Sequence, residues 1–221
     1  MNERASGLIL RTRRLTETSL IVHWLTPGLG RLATAAKGAL RANSPLRGKL
    51  DLFFEADFSF ARSRRSDLHT LREVSLRQTH PMLRQDLARL RTAACAARWI
   101  ELATETETPL PEVAALMHTL LEMLDTKPAG ASALFAFEVA LLSISGFGPA
   151  LDRTSLSAGA RKALTRLTAA DWVQLDRLKL SEAQVSEIER FLRQCLLEAW
   201  RALPPGRAEA LGLDNGRSLD P

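Results

Sequence analysis

The sequence predicts an α+β chain of two modules, a small five-stranded β-barrel followed by an α-helical bundle. Three observations carry this. Five short runs rich in Leu, Ile, Val and Phe precede residue 79; after Pro81 the apolar spacing changes from two residues to three or four; and charge is uneven along the chain. Residues 1–77 hold 14 Lys and Arg against 7 Asp and Glu, whereas the remaining 144 residues hold 16 against 18. A basic first module on a near-neutral second one suggests that the first meets a polyanion.

Gly7–Arg13 and Ser19–Thr26 read as the first two strands. Pro27-Gly28-Leu29-Gly30 then has turn composition, which predicts a hairpin onto Arg31–Lys37. In Leu52–Ala61, the residues Leu52, Phe54, Ala56, Phe58 and Phe60 alternate with Phe53, Glu55, Asp57, Ser59 and Ala61, so one face is oily and the other mostly polar. Arg62–Asp67 is a polar turn, and Leu68–Gln78 the partner strand. With Gly38–Leu50 connecting strands three and four, this pattern suits a closed or nearly closed barrel over residues 1–79.

The helical module is expected over residues 80–203. Leu83, Leu87, Leu90, Ala94 and Ala97 predict one long helix from Met82 to Ala103, and Thr104–Pro111 reads as a linker. Val113, Leu116, Met117, Leu120, Leu121 and Leu124 trace a second helix, and Leu134, Phe137, Leu141 and Leu142 a third that stops at Gly146. Ser181-Glu182-Ala183-Gln184 has the form of a capping box opening a last helix through Ala199. Ala150–Leu180 receives no element, and residues 204–221 read as a flexible tail.

Composition is that of an ordinary globular chain, 46% hydrophobic and 25% charged, which excludes collagen-like, disordered and disulfide-framework classes. No run approaches the roughly 18 apolar residues of a membrane span, and the two cysteines, Cys95 and Cys195, fit helical apolar stripes without metal-ligand spacing. A reducing, cytoplasmic setting with no membrane contact is expected. Phosphate-loop, dinucleotide-binding, nucleophile-elbow and zinc-protease motifs are absent, and His23, His69, His80 and His118 stand isolated. No catalytic residue, metal site or cofactor is therefore predicted. A magnesium-dependent nuclease would have to use Asp51, Glu55 and Asp57, a spacing common on any solvated sheet.

The cations make the better case. Arg31, Lys37, Arg41, Arg47 and Lys49 bracket the connection between strands three and four, and Arg62, Arg64 and Arg65 cap the following turn. Loops at one end of a small barrel converge, so these eight are the predicted DNA-binding residues, tracking phosphates independently of sequence. Trp24 and Phe53 are the predicted base-stacking aromatics. The alternative is an interaction adaptor whose barrel holds a peptide instead.

Several of these residues also carry a resemblance. Leu15-Thr16-Glu17-Thr18-Ser19-Leu20-Ile21-Val22, Thr26, Gly30-Arg31, Ala36-Lys37-Gly38-Ala39, Leu46-Arg47-Gly48 and Leu50 before Phe53 resemble RecO, a family of bacterial recombination mediators. Phe137-Glu138-Val139-Ala140-Leu141-Leu142, followed by Gly146-Phe147-Gly148, is similar to that family's helical segment. The resemblance covers about residues 7–150. It implies an N-terminal OB-fold, binding of single- and double-stranded DNA, annealing of complementary strands, and a cytoplasmic, nucleoid-associated place in DNA repair. It also implies three protein partners: RecR, the C-terminal tail of single-strand-binding protein and, indirectly, RecA. Many relatives carry a four-cysteine zinc insert after the Gly-Phe-Gly segment; Asp152–Lys162 has no cysteine, so no zinc is expected.

Overall fold

The computed structural model describes residues 2–150, 156–168 and 172–213. It divides into two compact units, one comprising Met1–His80 with Thr104–Ala115, the other Pro81–Ala103 with Leu116–Pro221.

The first unit is a closed barrel in the order β1-β2-β3-β5-β4. Its strands are β1 Asn2–Arg14, β2 Leu20–Thr26, β3 Gly30–Ala36, β4 Glu55–Ala61 and β5 Leu68–Gln78. Closure depends on the long β1, whose first half pairs antiparallel with β4 (Asn2 opposite Ala61, Leu8 opposite Glu55) and whose second half pairs with β2 (Arg14 opposite Leu20). β3 meets β5 in parallel over Ala33–Ala35. Inward residues Ile9, Val22, Trp24, Leu32, Phe58 and Phe60 fill the interior, and Ala39 and Leu46 plug it from the connection after β3.

Two expectations change here. β4 starts at Glu55, three residues later than the alternation predicts, because Phe53 takes left-handed backbone (φ 62°) while its N–H donates to the Ile9 carbonyl at 2.8 Å. That twist breaks the period-two pattern and buries Phe53. Thr104–Pro111, read as a linker, instead lies along the edge of β3. Thr106 bridges Arg31, the Glu107 N–H donates to the Arg31 carbonyl at 2.8 Å, and the Leu110 N–H to the Pro27 carbonyl at 3.0 Å. It occupies the half of β3 that β5 leaves unpaired.

The second unit is helical. The predicted helix from Met82 is interrupted: Pro81–Arg84 is a 3-10 turn, and α1 runs Leu87–Ala103. Asp86 starts it, its carboxylate accepting the Ala88 N–H at 2.8 Å, and Leu87 faces solvent rather than the stripe. α2 is Pro111–Thr126, its first residues belonging to the barrel unit, and α3 is Ala131–Ile144. α3 is buried on nearly every side and ends as expected at Gly146 (φ 81°), with the Phe147 N–H reaching the Leu142 carbonyl at 2.8 Å. α4, Ala158–Thr168, and a 3-10 turn at Trp172–Arg177 occupy the stretch given no element. α5, Glu182–Trp200, opens on the predicted capping box with both reciprocal bonds made, at 3.3 and 3.0 Å.

The tail is the largest correction. Residues 204–213 are ordered around α6, Arg207–Ala210, because Arg207 is 5% exposed and bonded to two carboxylates. Residues 214–221 lie outside the described residues, as do Asp152–Ser155 of the segment expected to lack zinc ligands. Among the described residues no cluster of three or more His, Cys, Asp or Glu could hold a metal ion, and no helix is long and apolar enough to cross a membrane.

Candidate nucleic-acid interface

The eight predicted cations do not share one end of the barrel. β4 is antiparallel to both β1 and β5, so the connection entering it and the turn leaving it emerge at opposite ends, about 20 Å apart over seven residues. Lys37, Arg41, Arg47 and Lys49 lie at the first end; Arg31, Arg62, Arg64 and Arg65 lie at the second.

The first end is rigid although it has no regular element. Successive tight turns bond Arg41 N–H to the Gly38 carbonyl, Ser44 to Arg41, Arg47 to Ser44 and Lys49 to Leu46, at 3.1–3.2 Å. The Leu40 N–H donates to the Thr18 carbonyl at 2.9 Å and the Gly38 N–H to Ser19 Oγ at 3.1 Å, tying this connection to the β1–β2 loop. Gly38 has φ +65°, and the Arg41 side chain crosses where a Cβ would point, so the glycine serves the turn. On this scaffold Lys37, Arg41 and Arg47 are exposed. Lys49 is half-buried, its Nζ donating to the Val74 carbonyl at 3.2 Å.

At the second end two cations are committed to the fold. Arg31 donates to the Thr104 hydroxyl at 2.8 Å and to the Thr104 carbonyl. Arg62 sits between Glu3 at 2.7 Å and Glu107 at 2.6 Å and lies over the Phe60 ring. The Arg62 bond holds Glu3 below the usual carboxylate range. The other Glu107 oxygen meets His69 Nε2 at 2.8 Å, while His69 Nδ1 accepts the Ser63 N–H at 3.3 Å. Arg64 and Arg65 remain exposed at the tip of the turn.

Neither predicted stacking aromatic is available to a base. Trp24 is fully buried, donates to the Thr34 hydroxyl at 2.8 Å and stacks on Phe58 with centroids 4.0 Å apart. Phe53 is 2% exposed. The alternation over Leu52–Ala61 puts Phe53 outside; its left-handed backbone turns it in. The carboxylates of the nuclease alternative are engaged separately: Asp51 with the Leu52 N–H, Glu55 with His80, and Asp57 with Ser6 and Arg77.

Sequence reasoning missed three cations on β1. Arg14, Leu20 and Ala36 form one cross-strand row, which sets Arg14 about 10 Å from the residue preceding Lys37. Arg11 and Arg13 are exposed farther down β1, and Arg11 pairs with His23. Burial first, and then Arg11, Arg13 and Arg31, push the His23 imidazole down to about 4. Because that lies below the free value, His23 contributes stability present above pH 6.5 and lost as pH falls toward 4. Urea unfolding should show the protein weaker at pH 5 than at pH 7, with a smaller difference in His23→Asn. An equal difference in both would remove His23 as a cause. The alternation Arg11-Thr12-Arg13 on a strand was the available signal.

The helical unit holds an apolar groove of about 310 Å³, lined among others by Met123, Pro128, Ala131, Leu175, Leu178 and Val185, with Lys179 in its border segment.

Two family models match the chain, "Recombination protein O N terminal" over residues 1–80 and "Recombination protein O C terminal" over residues 84–157. This chain belongs to the RecO family. All the cations of the barrel unit fall within the first RecO match, and the second stops before α4. Similar proteins include the DNA repair protein RecO of Rhodopirellula baltica, 32% identical over 150 residues, which are 68% of this chain and 56% of that protein. RecO of Bacillus pumilus is 30% identical over 150 residues, 68% of this chain and 58% of its own. RecO of Myxococcus xanthus is 30% identical over 154 residues, 70% and 63%. The chain thus spans about three-fifths of the length of these relatives. The family explains why this N-terminal unit is an OB-type barrel.

Proposed function

We propose that this RecO-family chain is a non-enzymatic DNA-binding mediator of recombinational repair in the cytoplasm, at the nucleoid. The carrying observation is the rigid, cationic end of the barrel, where Lys37, Arg41 and Arg47 stand exposed with Arg14 beside them and, among the described residues, no carboxylate is bonded to them. Such a surface takes phosphates and releases counterions. With Trp24 and Phe53 buried, the contact is to the backbone rather than to bases, which suits single- and double-stranded DNA alike and the annealing of any complementary pair. The names of the relatives support a place in DNA repair.

The protein partners follow from the same reading: RecR, and RecA loading on strands coated by single-strand-binding protein. The acidic, apolar tail of single-strand-binding protein would seat in the helical groove with Lys179 at its border. A peptide-binding adaptor barrel is disfavoured because the barrel is closed and Thr104–Leu110 already covers the half of β3 that β5 leaves unpaired.

Anisotropy of a labelled single-stranded oligonucleotide tests this. Wild type should bind, and Lys37→Ala/Arg47→Ala should weaken binding on the order of tenfold and flatten the log K against log salt slope by about 0.7 per lost contact. Wild-type binding insensitive to salt and to both substitutions sinks the proposal.

A further inference from the structure

α4, Ala158–Thr168, lies beyond both family matches, and among the described residues it is the one α-helix with cations and no acid. Ala160, Ala163, Leu164 and Leu167 form its buried stripe, while Arg161, Lys162 and Arg166 face solvent. That placement works against the helix itself. Lys162 and Arg166 are a like-charged i,i+4 pair, and Arg161 and Lys162 lie near the positive end of the macrodipole.

Among the described residues Lys162 and Arg166 are bonded to no carboxylate. The carboxylate at this helix end, Glu187, accepts from the Ser157 N–H and hydroxyl, and these bonds with Arg190 hold it below the ordinary range. Ser157 Oγ in turn caps the Ala160 N–H at 3.3 Å. Arg161 donates to the Leu156 carbonyl at 3.2 Å and so anchors the turn, which leaves Lys162 and Arg166 as the outward pair. The exposed face carries Thr165 and Thr168 and no large apolar side chain, so it is unsuited to insertion into a lipid surface.

We propose that the exposed face of α4 is a second phosphate-binding surface, which takes the complementary strand while the barrel end holds the first. This rests on the reading of the barrel as the primary DNA site. Annealing brings two polyanions together, and once the barrel cations are neutralised by one strand they no longer draw in another. A separate cationic face removes that limit. No bond is made or broken in the protein.

The test uses the full chain, a labelled single strand and its labelled complement, with Lys162→Ala/Arg166→Ala beside Lys37→Ala/Arg47→Ala. The α4 variant should melt as wild type does and keep its affinity for the first strand within about twofold, while annealing slows on the order of tenfold and its rate loses salt dependence. Annealing at the wild-type rate would overturn the proposal. So would an α4 variant that loses the first strand while the barrel variant keeps it, since α4 would then be the primary site. Loss of binding to anionic lipid vesicles with annealing intact would assign α4 to a membrane surface instead and overturn it as well. Failure of the barrel reading is separately visible, as wild-type affinity in the Lys37→Ala/Arg47→Ala variant.

Discussion

Arg207→Ala is expected to destabilise the helical unit by about 3–5 kcal/mol, the usual consequence of stranding one member of a buried ion pair. Glu138 is fully buried in the middle of α3. Arg207 meets it in a fork, Nε at 2.6 Å and Nη2 at 2.9 Å, and Trp99 Nε1 adds a third donor at 2.9 Å. Arg207 Nη1 also reaches Glu189 at 2.7 Å on α5, so one guanidinium ties the C-terminal segment to two helices. Burial pushes the Glu138 carboxyl up, and the Arg207 fork opposes that rise. Without the fork the carboxyl moves further up. A group raised in the folded state stabilises below its unfolded pKa and loses that contribution as pH rises through the folded one. The deficit of Arg207→Ala should therefore be larger at pH 8 than at pH 5, and Glu138→Gln in the same chain should recover part of it at pH 8. Urea unfolding at both pH values measures this. A loss below about 1 kcal/mol, independent of pH, would show that the pair contributes little.

Gly30→Ala should be nearly as damaging to the barrel unit, by about 3 kcal/mol or more. A Cβ there would stand 1.8 Å from the Thr108 carbonyl oxygen and 2.6 Å from its carbon, and φ is +68°. Both objects are backbone, so neither can swing aside. The substitution must expel Thr104–Leu110, breaking the bond of Glu107 to β3, that of Leu110 to Pro27 in the β2–β3 turn, the two from Arg31 to Thr104, and the clasp of Glu107 on Arg62 and His69. Gly48→Ala is the control, because φ is +74° there but nothing lies within 4 Å of the added carbon. It should lose only the roughly 1–2 kcal/mol of left-handed strain. Thermal unfolding of the two variants decides: equal losses would mean that conformation alone, and not the close approach of Thr108, accounts for the glycine.

The fold was legible where local patterns dominate. Leu68–Gln78 and the Ser181 capping box appear where periodicity and capping chemistry put them. Glu138 stood in the quoted helical motif, but its partner Arg207 is 69 residues away in a stretch whose Pro and Gly read as loose. A buried ion pair of that separation leaves no periodic trace. α4 was legible and passed over: Ala160, Ala163, Leu164 and Leu167 follow the helical spacing, in a region too short of large apolar residues to draw notice.

For the candidate site, residue type was readable and placement was not. Nothing local in Arg62 distinguishes it from Arg47, yet Glu3 and Glu107 claim the first, from 59 and 45 residues away, and Arg47 donates to the nearby Ala42 carbonyl. Which end of a barrel a loop occupies depends on strand direction, and the antiparallel course of β4 separates clusters that lie close in sequence.

Hydrogen exchange of the barrel amides, with and without a single-stranded oligonucleotide, tests that separation most directly. Bound DNA should slow exchange across residues 37–49 and the β1–β2 loop and leave residues 62–67 unchanged. Protection centred on residues 62–67, or none anywhere in the barrel, would contradict the assignment of the DNA site to the Lys37–Lys49 end.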